Sequence, residues 1–263
     1  MSPGRTAVKA LSALTDAVLP RPPGPRILIY HQVEAGLRRQ MEVRLEDFRL
    51  QLDWLSAKRQ VVDLGEALVR WAEPGSEHLV VLTFDDGYRD TCTTAFPLLH
   101  ELGFPFTLYL ATESIETGVP LGPADKAEPL SWDQIGTMLG SGLVTIGAHT
   151  HRHLDLRRLS SDEVEDELGT SDALIESRLG VRPAHFAYPW GFWSQSSDRP
   201  VTDRYSSAAL AGSRGATTEL EPHLLPRYPV QLSDGFRFFG ARLRGGLRLE
   251  EIVRRRLKGY KGP

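Results

Sequence analysis

Residues 79–84, LVVLTF, form an unbroken apolar run that ends in Asp85-Asp86-Gly87. A strand buried on both faces, as in a parallel sheet covered by helices, reads this way. The pattern recurs along the chain. ILIYH at 27–31 is an apolar strand tipped by His31, FPFTLYL at 104–110 is a further run, and LVTIGAH at 143–149 ends in His149. Helical periods lie between the runs. Residues 45–59 place Leu45, Phe48, Leu52 and Leu55 on one stripe, and a helix is expected over about 89–101. Another starts at a Ser131 cap, and a long one opens with the capping box Ser160-x-x-Glu163. Strand–helix alternation over this length predicts a single α/β barrel-like domain. Residues 112–130, rich in Gly, Pro and acids, read as a loop, and AHFAYPWG at 184–191 as a short strand running into a loop.

The rest of the chain limits the alternatives. Residues 1–25 read as an N-terminal extension, a short helix and a Pro-rich connector. Residues 26–263 hold the barrel and a basic C-terminal helix over about 237–261. A net charge of −3 gives no overall basic character to suggest a nucleic-acid protein. Cys92 is the only cysteine, so no intramolecular disulfide can form. Residues 7–19 look faintly like a signal segment, but Lys9 and Asp16 interrupt them and PRPPGPR follows. No apolar run is long enough to span a bilayer. The expected location is cytoplasmic.

Three clusters could carry chemistry. In TFDDGYRD, 83–90, two acids sit at a strand tip, where active sites of parallel α/β folds lie. Neighbouring residues there point different ways, so Asp85 and Asp86 can serve different partners. Asp-Asp-Gly is equally ordinary turn chemistry. A haloacid-dehalogenase-type phosphatase needs Asp-x-Asp, and Gly87 occupies its second position. In GAHTHRHLDL, 147–156, His149 and His153 are four apart, so one helical turn would put both on one face. With a carboxylate they would make a 2-His-1-carboxylate metal site with open positions; three surface histidines are the plainer alternative. His151 should point elsewhere. HFAYPWGFW, 185–193, offers Gly191 for close backbone approach to a ligand, a turn amide for an oxyanion, and Trp190, Phe192 and Trp193 as a wall for a sugar. A packed aromatic loop would look the same.

TFDDGY, HTHRH and FAYPWG, in this order and spacing, resemble the polysaccharide deacetylases, carbohydrate esterase family four, the NodB-homology domain. The likeness covers roughly residues 26–230. It implies a distorted (β/α) barrel of about seven strands and a metal-dependent enzyme that removes acetyl groups, mostly from amino sugars. By this resemblance Asp86, His149 and His153 bind a divalent metal, zinc first, with cobalt, nickel, iron or manganese as other candidates. Asp85 is the catalytic base, Thr150 fills the small hydroxyl position, and the Trp190 amide contacts the oxyanion. Tyr88 and Trp193 are further substrate candidates.

Two positions depart from the family pattern. Its third motif carries an arginine that orients the base, and here that position is Ala187; Arg227 in LPRYPV is the candidate replacement. Its acid histidine closes a Leu-x-Leu-x-His strand near the C-terminus, where His223 fits poorly. ILIYH matches that strand at the front of the chain, as in a circularly permuted branch resembling poly-N-acetylglucosamine deacetylases. In a closed barrel the first and last strands are neighbours, so His31 is assigned as the general acid.

The expected function is deacetylation of an N-acetylated sugar in a glycan, a glycan precursor or a glycosylated small molecule. Two other readings stand beside it: hydrolysis of another C–N bond such as a cyclic amide, and a metal-holding binding protein without turnover. The latter rests on Ala187. Basic residues in the C-terminal segment, including Arg254-Arg255-Arg256, could touch an anionic membrane, though a solvated helix packed on the barrel reads more simply. Trp132 could line the cleft or pack in the core.

Overall fold

A computed structural model describes residues 3–19, 22–122, 126–212 and 219–257, with side chains for all of these but 3 and 254–257. In chain order the strands are β1 (Arg26–Tyr30), β2 (Gln32–Val33), β3 (Glu42–Val43), β4 (Gln60–Val61), β5 (Leu79–Phe84), β6 (Phe106–Leu110), β7 (Val144–Ala148), β8 (His185–Ala187), β9 (Ser207–Ala209) and β10 (Arg227–Pro229). The helices are α1 (Pro3–Val18), α2 (Leu45–Lys58), α3 (Leu64–Val69), α4 (Phe96–Leu102), α5 (Thr112–Thr117), α6 (Trp132–Leu139), α7 (Ser161–Leu179), α8 (Gln195–Thr202), α9 (Phe239–Gly245) and α10 (Arg248–Leu257).

Seven strands run in the order β10-β1-β5-β6-β7-β8-β9, every neighbouring pair parallel, with β4 adding to the start of β5. The sheet curls until its edges meet. Leu225 donates to the Ala208 carbonyl, Leu210 to that of Leu225, and Gly212 to that of Arg227. The result is a nearly closed (β/α) barrel of seven strands. β1 lies between β5 and β10, so the first strand of the barrel sits beside the last.

Period-2 alternation sorts the strand residues into two apolar sets. Ile27, Val81, Tyr109, Ala187, Ala209 and Leu225 pack together inside the barrel. Leu28, Leu82, Phe84, Leu108 and Ile146 face the helices, meeting Phe48, Leu52 and Leu55 of α2 and Val164, Leu168 and Ile175 of α7. Leu45 starts α2 as its periodicity predicts, and Ser160 and Glu163 close the predicted capping box on α7.

Three expectations change. Residues 112–117 are helical rather than loop, forming the single turn and a half of α5. The helix expected over 89–101 contains a π-turn over Thr91–Ala95 before it settles into α4. Up to Leu257 the basic segment is two helices, broken where Gly246 (φ 78°) and Leu247 (φ 57°) take left-handed backbone, and residues 258–261 lie outside the described residues. The extension is docked rather than free. Lys9 of α1 is fully buried and pairs with Asp234 and Glu250, and Arg242 of α9 bonds the same two acids. A lysine buried like this is tolerable only because it is paired. The Arg254, Arg255 and Arg256 side chains lie outside the described residues.

Candidate active site

The candidate site lies at the C-terminal ends of the strands. Asp85 follows β5 on the inward side, in phase with Val81 and Thr83. Both its oxygens are taken by Arg227, whose Nη1 and Nη2 donate at 2.7 and 2.8 Å. Arg227 stands at the foot of β10, level with Ile27. Its side chain rises through the barrel, donating from Nε to the Leu210 carbonyl and from Nη1 to the Thr83 hydroxyl, and lies over the Tyr109 ring at 5.1 Å. That ring has room only because residue 147 is glycine; a Cβ there would stand 2.4 Å from it. Burial alone would raise the Asp85 pKa, but the adjacent guanidinium holds it below the usual carboxylate value.

This pair yields a stability prediction. Arg227→Met would leave a buried carboxylate without its counter-charge, at a cost of about 3–5 kcal/mol at neutral pH. Because folding depresses the Asp85 pKa, the pair's contribution is present above the unfolded value and fades as pH falls through the folded one. Urea unfolding of both proteins at neutral and acid pH should therefore show a gap that narrows in acid. A gap below about 1 kcal/mol at neutral pH would contradict the pair.

Asp86 serves other partners. Alternation would turn it away from Asp85, and the chain bends here with φ of 74° at Asp86 and 81° at Gly87. Its Oδ1 lies 3.3 Å from His149 Nε2 and 3.4 Å from His153 Nε2. The three ligand atoms fall within 4.8 Å of one another. His149 Nδ1 is 2.7 Å from the Ala187 carbonyl, which can only accept, so Nδ1 carries the proton. In the neutral ring, Nε2 then presents a lone pair to the carboxylate. Asp86 Oδ1 is buried without a hydrogen-bond partner. Lone pairs converging on one buried point suit a cation better than they suit each other, so these residues fit a divalent metal. Burial lowers the His153 pKa to about 4, keeping it neutral and able to ligate. Burial would raise that of Asp86, but His153 and His149 hold it far below the usual range.

The histidines do not share a helical turn, as their spacing suggested. After β7 the chain loops, with left-handed φ at Thr150 (67°) and His153 (55°), and the rings meet at 4.8 Å between centroids. The Thr150 hydroxyl accepts from the His153 amide, and Arg152 anchors the loop to buried Glu167 through its amide and Nε. Among the described residues seven non-glycines have positive φ, and Asp86, Thr150, His153 and Trp190 (φ 62°) are four of them. Each costs about 1–3 kcal/mol, so their concentration around one point marks a site that the surrounding fold holds in place.

His31, at the tip of β1, lies among these groups. Burial lowers its pKa, with Asp86, Asp85, Arg227 and His149 close enough to act on it electrostatically. Trp190 is 53% exposed and its ring lies 5.4 Å from that of His153. Trp193 bonds Asp198, Tyr88 is buried with its backbone bridged to Pro129, and Phe192 is buried under Arg157. Trp190 is the most exposed of the three rings, and Phe192 lines the groove beside it. His151 bonds Thr112, Trp132 bonds Glu116, and His223 bonds the Tyr205 carbonyl. Sequence reasoning missed Tyr109 and Gly147, the Ala187 carbonyl and Glu167. The one available signal was polar Thr83 inside an apolar strand.

A seven-stranded parallel barrel thus carries, at the strand ends where α/β folds place their active sites, a carboxylate–histidine cluster that could hold a metal. The polysaccharide deacetylase family model matches residues 72–204, and the chain belongs to that family. His31 and Arg227 lie outside the matched span, so their place here rests on geometry. The poly-beta-1,6-N-acetyl-D-glucosamine N-deacetylase of Escherichia coli K12 is 31% identical over 138 residues, 46% of this chain and 20% of that protein. YxkH of Bacillus subtilis is 26% identical over 174 residues, 65% of this chain and 58% of YxkH. The chain thus spans less than two thirds of the length of either curated relative. The structure of IcaB from Ammonifex degensii superposes with a TM-score of 0.71 at 24% identity, covering 84% of this chain and 97% of that one. The Streptococcus pyogenes deacetylase PplD, solved in complex with acetate, gives 0.70 at 22%, covering 82% and 96%. At these identities the two structures speak for the fold. Among the described residues, no helix is long and apolar enough to cross a membrane.

Proposed function

We propose that this chain hydrolyses the acetamide of an N-acetylated amino sugar, using a divalent metal, zinc first, held by Asp86, His149 and His153. The observation that carries the reading is the separation of two neighbouring carboxylates into two jobs. Asp86 faces the two histidine lone pairs, while Asp85 is ionised and aimed by Arg227. When bound, the metal polarises the acetyl carbonyl and makes water a stronger acid. Asp85 takes the proton of the attacking water. The Trp190 amide, turned by its left-handed backbone, is assigned to the oxygen on which charge develops. His31 gives a proton to the sugar nitrogen as the C–N bond breaks, leaving acetate and the free amine. Thr150 holds the His153 loop in place.

The missing motif arginine at Ala187 is the sole ground for a reading without turnover. Arg227 provides a guanidinium to Asp85 from another strand, which supports the reading with turnover. The deciding experiment follows acetate release from a panel of N-acetylglucosamine compounds, with metal content measured by plasma mass spectrometry. Release should stop on chelation and return when zinc is restored. Metal-loaded protein that frees no acetate from any acetamido sugar would overturn the reading.

A further inference from the structure

Beside His153 the surface folds into a groove of about 670 Å³, lined by Arg152, Arg157, Arg158 and Trp190, with Asp155 the one carboxylate among its described lining residues. Two of the arginines are fixed in advance. Arg157 lies over the Phe192 ring at 4.1 Å and is held by Asp155 through Nε and Nη2 at 2.8 and 2.6 Å. Arg152 is anchored by Glu167, which is itself buried. Arg158 has a long pairing of 3.8 Å to Asp155, and its side chain is 84% exposed. In the groove lining Arg157 and Arg158 share the single carboxylate Asp155, while Arg152 is paired with Glu167 and lies within reach of Glu113 and Glu163. Arg157 and Arg158 have no task in the proposed hydrolysis, and Arg152 serves it only by anchoring the His153 loop.

We propose that this groove recognises an anionic group, a phosphate or a carboxylate, carried on the substrate beside the acetamide. The inference rests on the deacetylase reading and narrows its substrate from acetamido sugars in general to anionic ones. Guanidinium forks match the paired oxygens of either anion. Arginines held rigid by stacking and ion pairs lose little further freedom when a ligand arrives. Trp190, the exposed aromatic between groove and His153, would lie against the sugar ring.

The test is calorimetric titration of the full chain with N-acetylglucosamine 1-phosphate, N-acetylmuramic acid and neutral methyl N-acetylglucosaminide. It is run with and without zinc, so that anion binding to the metal is seen separately. At low salt at least one anionic probe should bind the zinc-free protein about tenfold more tightly than the neutral one, a gap of about 1.4 kcal/mol. Which probe wins tells phosphate from carboxylate. The preference should shrink at high salt and fall toward unity in Arg157→Gln/Arg158→Gln. Equal binding of all three probes, no binding of either anionic probe, or a preference that survives the double substitution would each overturn the proposal. Turnover of neutral sugars alongside equal binding would sink the anion groove and leave the deacetylase standing. An intact preference with no acetate released from any sugar would do the reverse.

Discussion

Asp85→Asn should lower kcat for acetate release by about a thousandfold, the middle of the range for a lost general base, while the protein still binds one metal. Asparagine keeps the shape of the side chain and can accept one of the two Arg227 bonds, but it cannot take a proton from water. The proposed metal ligands are Asp86, His149 and His153, so metal content should not change. The separation of effects is the point of the experiment, because Asp85 and Asp86 are adjacent and a turn with two exchangeable acids would respond alike. Asp86→Asn should instead remove the metal, since it deletes the carboxylate both imidazoles face. The unfolding midpoint of Asp85→Asn must be read alongside, because Arg227 loses its counter-charge. If Asp85→Asn kept kcat within tenfold of the parent, or lost its metal, the two roles would have been assigned wrongly.

What could be read in advance followed from strand chemistry. A buried parallel strand announces itself as an apolar run, and β1, β5, β6 and β7 all stand where such runs predicted them. The polar residues ending those runs fell at one end of the barrel because parallel strands share a direction. Geometry created by loops was not legible. His149 and His153 meet through two left-handed residues, which no spacing rule distinguishes from a helical turn. HFAYPWGFW suggested three exposed rings, but Phe192 is buried beneath Arg157 and Trp193 is tied to Asp198. Arg227 was visible only as a basic residue entering an apolar strand. Its reach to Asp85 depends on Gly147 leaving room for the Tyr109 ring beneath it, a contact between residues far apart in the chain. The π-turn after the aspartate pair likewise has no signature in TCTTA.

His31→Ala is expected to cut kcat for an N-acetyl sugar by about a hundredfold or more, as removal of a general acid does, with metal content and fold unchanged. β1 lies between β5 and β10 and so carries His31 to the rim that holds Asp85. Asp86, Asp85, Arg227 and His149 all bear on its titration, so it lies close to the two aspartates and the histidine cluster. A sugar amine is a poor leaving group until its nitrogen is protonated, whereas an acetyl ester of nitrophenol departs unaided. A proton donor therefore matters for the first substrate and hardly for the second. The ratio of parent to variant kcat should be large for the acetamido sugar and within about tenfold for the nitrophenyl ester, a contrast that cavity formation or misfolding would not produce. Equal losses on both substrates would make His31 a packing residue at a strand tip. The proton for the amine would then have to come from another group on the rim, and the kinship of ILIYH with a relocated terminal strand would carry no mechanism.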